Sequence, residues 1–436
     1  MNPSLVGSEM CIRDRMLSIL WCSLGIVAGV LFGIIPGAGP FLAIATFYPL
    51  LLTLDPFNIL LFYTTILIVS NYTNSVTAIL YGIPGDASSV VTARHGHKLF
   101  LKGKGHLAVS NNAISSTIGS IFAIVMFLLF LSSIYSIFQF YNSTLQLSII
   151  CVAIVLLTFM SKQKVWKTIS LFLFGGVLAK IGFNNTTFET WGTFGIDYLT
   201  LGIPFSAVMI CLYIIPELLK FRDIEIGEQQ KITKFGYDTS TLPSTGIGSF
   251  VGFWCGLIPG VTNILGSYLS ANFVKKDLNK IAAAEAANNS GSLSSLLPLI
   301  ILGIPIVASE VLIFYLIVTK GFTFSVDSMG YFTNILYYVP FVLVVGLILS
   351  WGCFNMLGTL AQLYKKHKNT FIVAIVTFIC IMSINIYPVK EWIVISLIVL
   401  GAVGYSLRKV DTFPVLYGYF LTDLFWDNLM RVMVIY

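Results

Sequence analysis

The chain has 436 residues, of which 57% are hydrophobic and only 10% are charged, and it carries a formal net charge of +6. Soluble domains carry about 25% charged residues, so this composition excludes an ordinary soluble protein and predicts an all-α polytopic membrane protein in contact with a lipid bilayer. The positive charge does not indicate a nucleic-acid partner, because the basic residues lie in short loops between apolar runs, as is typical of cytoplasmic loops.

The N-terminal residues 1–15 are polar and unlike the apolar sequence that follows them. No apolar region precedes a cleavage site here, so the segment does not resemble a signal peptide. We predict a non-native or disordered N-terminal extension, with natural translation starting at Met16. The apolar stretch from Met16 to Leu54 is too long for one span and is interrupted at residues 36–40. It predicts two helices that meet at a Gly/Pro break.

The rest of the first half continues this pattern of apolar spans and breaks. Asp55-Pro56 is a helix-start signal, residues 57–81 change from apolar to polar, and Gly82-Ile83-Pro84 interrupts the chain again. A basic loop at 94–104 follows. Further spans are predicted near residues 108–134, 143–160, 166–183 and 198–219.

The second half of the chain contains breaks of the same kind. One lies at Pro259-Gly260 and another at Gly303-Ile304-Pro305, with a polar stretch at 285–295 between them. Further spans are predicted near residues 331–352, 370–388, 390–406 and 412–432. The whole chain is predicted to contain roughly 11–13 transmembrane or re-entrant helices.

The two sets of breaks recur at nearly one spacing. The first set is repeated 223 residues later: Gly29, Gly33, Pro36 and Gly37 correspond to Gly252, Gly256, Pro259 and Gly260. The second set is repeated 221 residues later: 82–84 and 87–88 correspond to 303–305 and 308–309. Agreement in order and spacing indicates an internal duplication. We therefore divide the chain into two transmembrane repeats, residues 16–220 and 244–436, joined by a charged cytoplasmic linker at 221–243.

The loop charges indicate how the two repeats are oriented. Loops 94–104 and 161–167 are basic in the first repeat, and their counterparts in the second repeat carry little charge. The reverse holds for loops 135–142 and 184–197, which contain no Lys or Arg, whereas their counterparts are basic. By the positive-inside rule, the two repeats are predicted to have inverted topology.

Polar residues at membrane depth cluster beside the breaks, and such residues point to a substrate or ion path. They are mostly amides and hydroxyls, with no Lys or Arg among them, so an anion would be held by neutral donors and helix N-termini. The predicted substrate-binding residues are Asn74, Ser75, Thr77, Gly82, Pro84, Ser88, Asn288, Asn289, Ser295, Gly303, Pro305 and Ser309. The helix breaks that frame them are Pro36, Gly37, Pro259 and Gly260.

Four residues are candidates for binding a coupling ion, Na⁺ or H⁺: Asn71, Asp86, Glu285 and Glu310. Two alternatives stay open. In the first, the small polar residues serve only close helix packing; in the second, Asp86 and Glu310 face water at helix ends. The cysteines show no metal-ligand spacing, and the lysines near His95, His97 and His106 favour a solvated cytoplasmic loop over metal binding there. No nucleophile–base pair is evident, so we predict no metal site, no other cofactor and no enzymatic activity.

Four segments resemble the TctA family, the large membrane subunits of tripartite tricarboxylate transporters. They are GIIPGAGP (33–40), GLIPG (256–260), NSVTAILYGIPGDASSVVT (74–92) and EAANNSGSLSSLLPLIILGIP (285–305). The last segment is the most specific, and the resemblance extends from about residue 16 to the C-terminus. The chain departs from the family pattern at His95, where an acidic residue is usual, and at Ala284 and Ile306.

The resemblance implies a multi-pass protein of the bacterial inner membrane that works as an ion-driven symporter. It would receive a di- or tricarboxylate from a periplasmic solute-binding protein, with help from a small membrane subunit. The alternative is a stand-alone organic-anion carrier or a channel of unknown substrate.

Overall fold

The computed structural model describes residues 3–35, 39–85, 87–138, 144, 147–148, 151, 155, 163–183, 189–221, 232, 234–258, 262–303, 305, 307–322 and 334–435. Nearly all regular structure in these ranges is helical, which confirms the all-α fold class. Four of the described helices are long and apolar enough to cross a membrane: Arg15–Ile34, Pro56–Tyr81, Val90–Phe130 and Phe354–Asn385.

The first half of the chain begins with three helices. They are α1 (Pro3–Ile34), α2 (Gly39–Leu51) and α3 (Pro56–Tyr81). A short 3₁₀ turn at Ala87–Ser89 leads into α4 (Val90–Leu99), and a π-helical turn at Phe100–Lys104 separates α4 from α5 (Gly105–Phe138). The helix α1 already includes residues 3–15, so the backbone is helical there. The assignment of residues 1–15 as non-native stays a prediction.

A short hairpin that the sequence did not predict interrupts the helices after α6 (Val165–Lys180). Its strands are β1 (Gly182–Phe183) and β2 (Thr190–Trp191), which pair in antiparallel fashion. Three short helices follow: α7 (Asp197–Thr200), α8 (Phe205–Met209) and α9 (Ile215–Phe221).

The second half begins with four helices that match the start of the first half in order. They are α10 (Leu242–Gly256), α11 (Thr262–Asn272), α12 (Asp277–Leu302) and α13 (Ala308–Thr319). The described chain then continues with α14 (Val339–Leu347), α15 (Phe354–Ile386), α16 (Lys390–Ser406) and α17 (Phe413–Ile435). Non-helical backbone angles at His367 divide α15. The division lies within the basic residues 365–368, which are the counterpart of loop 135–142.

The helix α3 lies at the centre of the molecule, and every residue from Asn58 to Tyr81 is buried. Its start follows from the sequence, because Asp55 accepts hydrogen bonds from the Asn58 backbone N–H at 3.1 Å and side-chain amide at 2.6 Å. Pro56 suits the first turn because it lacks a backbone N–H, and the N–H groups of that turn have no partner within the helix. Burial on all sides is how a membrane helix carries a polar stretch such as 70–77 without exposing it to lipid.

The helices α3 and α12 correspond in length and in the way they end. Each has 26 residues, and each ends at a glycine with positive φ, 68° at Gly82 and 63° at Gly303. The N–H of each glycine donates to the carbonyl four residues earlier, at 3.1 Å and 2.9 Å. Glycine adopts this left-handed conformation without the steric cost that a Cβ would add. The matched Gly-Ile-Pro breaks are therefore matched helix ends.

Close glycine contacts hold α1 against α3 and α10 against α12. A Cβ on Gly33 would collide with Thr73, and a Cβ on Gly256 would collide with Ser294 and the carbonyl of Gly291. Such close helix approach is typical of small-residue membrane interfaces. The close contacts in the two helix pairs occupy corresponding positions, which agrees with the predicted duplication.

The two halves also contact each other in a reciprocal way. Helix α3 packs against α13 of the second half, and α12 packs against α4 of the first half. At the loop end of α12, Asp277 binds His95 Nδ1 at 2.7 Å and Lys98 Nζ at 2.8 Å, both on α4. The hydrogen bond from Lys98, with that from His95, holds the pKa of the Asp277 carboxyl below its usual value. Ionic contacts therefore join the two halves at this end of α12. The inverted orientation of the repeats stays a prediction.

Candidate functional site

The helices α3 and α12 meet through a direct hydrogen bond between Asn71 and Ser292. The Nδ2 atom of Asn71 donates to Ser292 Oγ at 2.9 Å, and both side chains are buried. The two residues are 221 positions apart, so they occupy the same place in the two 26-residue helices. Equivalent points of the two halves thus touch in the interior, among the polar residues that the sequence singles out.

A third helix joins this contact through Asn263, at the start of α11. Its Nδ2 atom donates to Asn288 Oδ1 at 2.6 Å and to Ser292 Oγ at 2.9 Å. Sequence analysis missed Asn263, because the residue 223 positions earlier is Pro40 and repeat comparison gives no amide there. The signal available was an amide four residues after the Pro259 break. We call Asn71, Asn263, Asn288 and Ser292, together with Asn74 three residues after Asn71 on α3, the crossing cluster.

In the crossing cluster, more hydrogen-bond donor groups than acceptor atoms remain available for a ligand. Within the described part of the chain, the Nδ2 atoms of Asn74 and Asn288 are buried and have no hydrogen-bond partner, and neither does Oδ1 of Asn71. The Ser292 oxygen already accepts from two amides, so its hydroxyl is available only as a donor. Three donors and one acceptor are therefore available, and unpaired buried amides of this kind are costly unless a ligand satisfies them.

Asn74 itself lies where the first two breaks of the sequence converge. A Cβ on Gly85 would come within 2.7 Å of the Asn74 Cα atom and 3.1 Å of the Gly33 carbonyl oxygen. The turn after the first Gly-Ile-Pro therefore packs on both Asn74 and the end of α1. Ser75 and Thr77 instead bond to their own helix, Ser75 to the Asn71 carbonyl at 3.2 Å and Thr77 to the Asn74 carbonyl at 2.9 Å.

A second polar group forms at the start of α13, around Glu310. Its Oε1 atom lies 2.6 Å from Ser295 Oγ, and its Oε2 atom accepts the Val307 N–H at 3.1 Å. The neighbouring Ser309 hydroxyl is 2.9 Å from the Tyr63 hydroxyl of α3. Glu310 is fully buried, so it does not face water at a helix end. Backbone N–H groups at a helix start favour a carboxylate.

Glu285 belongs to a different part of the interior. Its carboxylate accepts from the Thr92 hydroxyl of α4 and from the Ser116 hydroxyl of α5, the latter at 3.4 Å. Asn289 donates to the Glu285 backbone carbonyl at 3.0 Å, within its own helix. The structure therefore separates these two predicted residues from the crossing cluster and places Glu285 between the halves.

The remaining predicted residues have structural positions or are not described. Gly82 and Gly303 end their helices, Pro84 is half-buried, and Ser88 and Pro305 are buried. Five predicted residues lie outside the described ranges: Pro36, Gly37, Asp86, Pro259 and Gly260. Among the residues that are described, no group of three or more His, Cys, Asp or Glu side chains is placed to hold a metal ion.

Comparison with known proteins places this arrangement in context. The sequence model of the tripartite tricarboxylate transporter TctA family matches residues 19–416. An uncharacterized 52.8 kDa protein in the TAR-I ttuC' 3' region of Agrobacterium vitis is 26% identical, over 96% of this chain and 88% of the relative. An uncharacterized protein of Methanocaldococcus jannaschii is 25% identical, over 66% of this chain and 70% of the relative. No solved structure matches the chain.

Proposed function

Because the chain belongs to the tripartite tricarboxylate transporter TctA family, we propose that it is the large permease subunit of an uptake system for di- or tricarboxylates or similar organic anions. The observation that carries this proposal is the crossing cluster, where buried amide N–H groups lack partners in the described structure. Membership of a transporter family also favours transport over catalysis.

The chemistry of the cluster fits a carboxylate group. Carboxylate oxygens accept hydrogen bonds only, and hydrogen bonds to a charged oxygen are shorter and stronger than neutral ones. Segments 55–93 and 281–319 contain no Lys or Arg, so recognition there relies on neutral donors. Amide and hydroxyl donors bind an anion without a fixed positive charge, which permits release on the other side of the membrane.

The position of the cluster fits alternating access. Transporters with inverted repeats bind substrate near the bilayer midplane, at the interface of the repeats, and rock one unit against the other. Asn71 and Ser292 meet at equivalent points of α3 and α12, which supports a site at such an interface. In our proposal the two halves have opposite orientation, and the breaks at Pro36 and Pro259 frame the same site.

The transport cycle is proposed to use an ion gradient. Glu310 and Glu285 are buried carboxylates bonded to hydroxyls and, for Glu310, to a backbone N–H, so each can hold a proton or a cation. Asn71 Oδ1 is a free buried acceptor within the described structure and suits a cation such as Na⁺. The proposed partners are a periplasmic solute-binding protein and a small membrane subunit in a bacterial inner membrane.

Transport assays in proteoliposomes test the proposal. The purified chain, with and without its proposed partners, is supplied with labelled di- and tricarboxylates under a sodium gradient, a pH gradient or neither. We expect accumulation of at least one carboxylate that depends on one gradient. Flux without accumulation would identify a channel, and no flux of any carboxylate under any condition would contradict the proposal.

Variants of the crossing cluster connect that activity to the proposed site. Asn74→Ala and Asn288→Ala should each reduce uptake at low substrate concentration by about tenfold or more, because each loses a hydrogen bond to a charged oxygen. Asn112→Ala on α5 is the matched control, since Asn112 is an equally buried amide outside the cluster. Normal uptake in both cluster variants would contradict the site.

A further inference from the structure

Asn263 differs from the other cluster residues because both of its side-chain hydrogens are used inside the protein. An amide NH₂ group has two hydrogens, and one points to Asn288 Oδ1 and the other to Ser292 Oγ. Its two acceptors lie one turn apart on α12. The side chain of Asn263 therefore offers no N–H to a ligand, and its Nδ2 atom acts on Asn288 and Ser292.

The bond to Asn288 determines which way that amide faces. Since the Asn288 oxygen accepts from Asn263 at 2.6 Å, the NH₂ group of Asn288 must point away from Asn263. That Nδ2 atom is the buried donor without a partner in the described structure. Without Asn263, the Asn288 amide is free to turn and present its oxygen, which repels a carboxylate.

The bond to Ser292 has a similar effect on the hydroxyl. Ser292 Oγ accepts from Asn263 and from Asn71, each at 2.9 Å, so both of its lone pairs are occupied. Its hydrogen is thereby left for an outside acceptor. Asn263 thus sets the donor character of two groups in the cluster at once.

We propose that Asn263 is a positioning residue of the carboxylate site, which orients Asn288 and Ser292 so that both present hydrogens to the substrate. This inference rests on the proposed function. The residue 223 positions earlier is Pro40, which has no side-chain donor. A positioning amide of this kind is therefore present in the second half of the chain and has no counterpart at Pro40.

Two substitutions separate orientation from packing. Asn263→Ala removes the donor and leaves a cavity. Asn263→Leu keeps a branched side chain in the same place but removes the NH₂ group, and it adds no charge that would itself repel a carboxylate. A positioning role predicts that the Leu variant binds carboxylate as weakly as the Ala variant, whereas a packing role predicts that it binds nearly as well as the wild-type protein.

The experiment measures KM for a carboxylate that the wild-type protein takes up, together with the melting temperature of each purified variant. We expect KM to rise about tenfold or more in both Asn263→Ala and Asn263→Leu, since hydrogen bonds to a charged oxygen are lost in each. A KM in Asn263→Leu within about twofold of wild type would overturn the inference.

Ser270→Ala provides the matched control on the same helix. The Ser270 hydroxyl donates to the Ala283 carbonyl at 3.1 Å and links α11 to α12 without touching the cluster. Its loss should leave KM unchanged, and a rise equal to that of Asn263→Ala would overturn the inference in favour of a loosened α11. If the wild-type protein takes up no carboxylate, the proposed function fails. If the wild-type protein does take up a carboxylate and Asn263→Leu behaves like it, only this inference fails.

Discussion

At the scale of single residues, Ser292 of α12 is the residue that contacts both α3 of the first half and α11 of the second half. It is buried and accepts N–H groups from both Asn71 and Asn263. A hydroxyl suits this place because it accepts two hydrogen bonds and still donates one, which an amide oxygen does not. The sequence places Ser292 among many buried serines, and only the three-dimensional contacts distinguish it from them.

Ser292→Ala should therefore destabilise the protein and weaken substrate binding together. The buried Asn71 N–H would lose its acceptor, at a cost of about 1–3 kcal/mol, and the half-buried Asn263 N–H would lose one as well. The control is Ser290→Ala, because Ser290 donates to the Ser249 carbonyl at 2.8 Å and its loss leaves no N–H group unpaired. Thermal unfolding in detergent and KM for uptake are the measurements. Equal melting temperatures in the two variants would contradict this account of Ser292.

Single residues also show where prediction from sequence ends. Asn74 and Asn288 were predicted because amides are seldom buried without a purpose, and both are buried in the interior. Whether they bind substrate stays a prediction. Asn263 was missed because its contacts depend on how α11 packs on α12, which no local pattern encodes. Residue spacing also could not predict that the Ser75 and Thr77 hydroxyls would donate to carbonyls of their own helix.

At the scale of elements, the paired helices α1–α3 and α10–α12 are the repeated building block. Glycines allow each pair to approach closely, and at Gly33 and Gly256 a Cβ would meet corresponding residues of α3 and α12. Gly/Pro spacing predicts these breaks and an internal duplication, which stays a prediction because Pro36 and Pro259 lie outside the described residues. It did not predict that the Gly-Ile-Pro motifs would serve as left-handed helix ends, because a glycine's φ depends on the chain around it.

Gly256→Ala should separate α10 from α12 and disrupt the site that α12 carries. The added Cβ would collide with the backbone of α12 at Gly291, and a backbone atom does not move aside. The control on the same helix is Gly246→Ala, whose Cβ meets no atom within 4 Å. That variant should be neutral or stabilised by about 1 kcal/mol through helix propensity. A melting temperature for Gly256→Ala equal to that of Gly246→Ala would contradict the close contact.

At the scale of the whole molecule, family and fold class are the two properties that the sequence predicts without knowledge of three-dimensional contacts. Composition predicts the all-α membrane fold, and the four quoted segments predict the TctA family; both are confirmed. The reciprocal packing of α3 on α13 and of α12 on α4 could not be predicted, because it depends on how two separate halves dock. The hairpin after α6 was missed because two-residue strands have no periodicity to detect.

The predicted inverted orientation has a direct test in the intact membrane. Single cysteines replace Leu101 and His367, both exposed, in a background without the native cysteines. If the repeats are inverted, both positions are cytoplasmic and react only after a membrane-impermeant thiol reagent is admitted to the cytoplasm. Phe194→Cys, on an exposed loop without Lys or Arg, is the external control and should react in intact cells. Labelling of residue 101 or 367 from outside would refute the orientation.

The complete enclosure of α3 also constrains how the protein is made. A nascent helix leaves the translocation machinery into lipid, and its amides and hydroxyls gain nothing from hydrocarbon. In the finished protein α3 touches other protein on every side, and much of its polar stretch is satisfied by α1, α5, α12 and its own backbone. We therefore expect α3 to reside stably in the bilayer only after the second half, which contains α12, has been synthesised. On this expectation, membrane insertion as well as the proposed transport requires contact between the two halves.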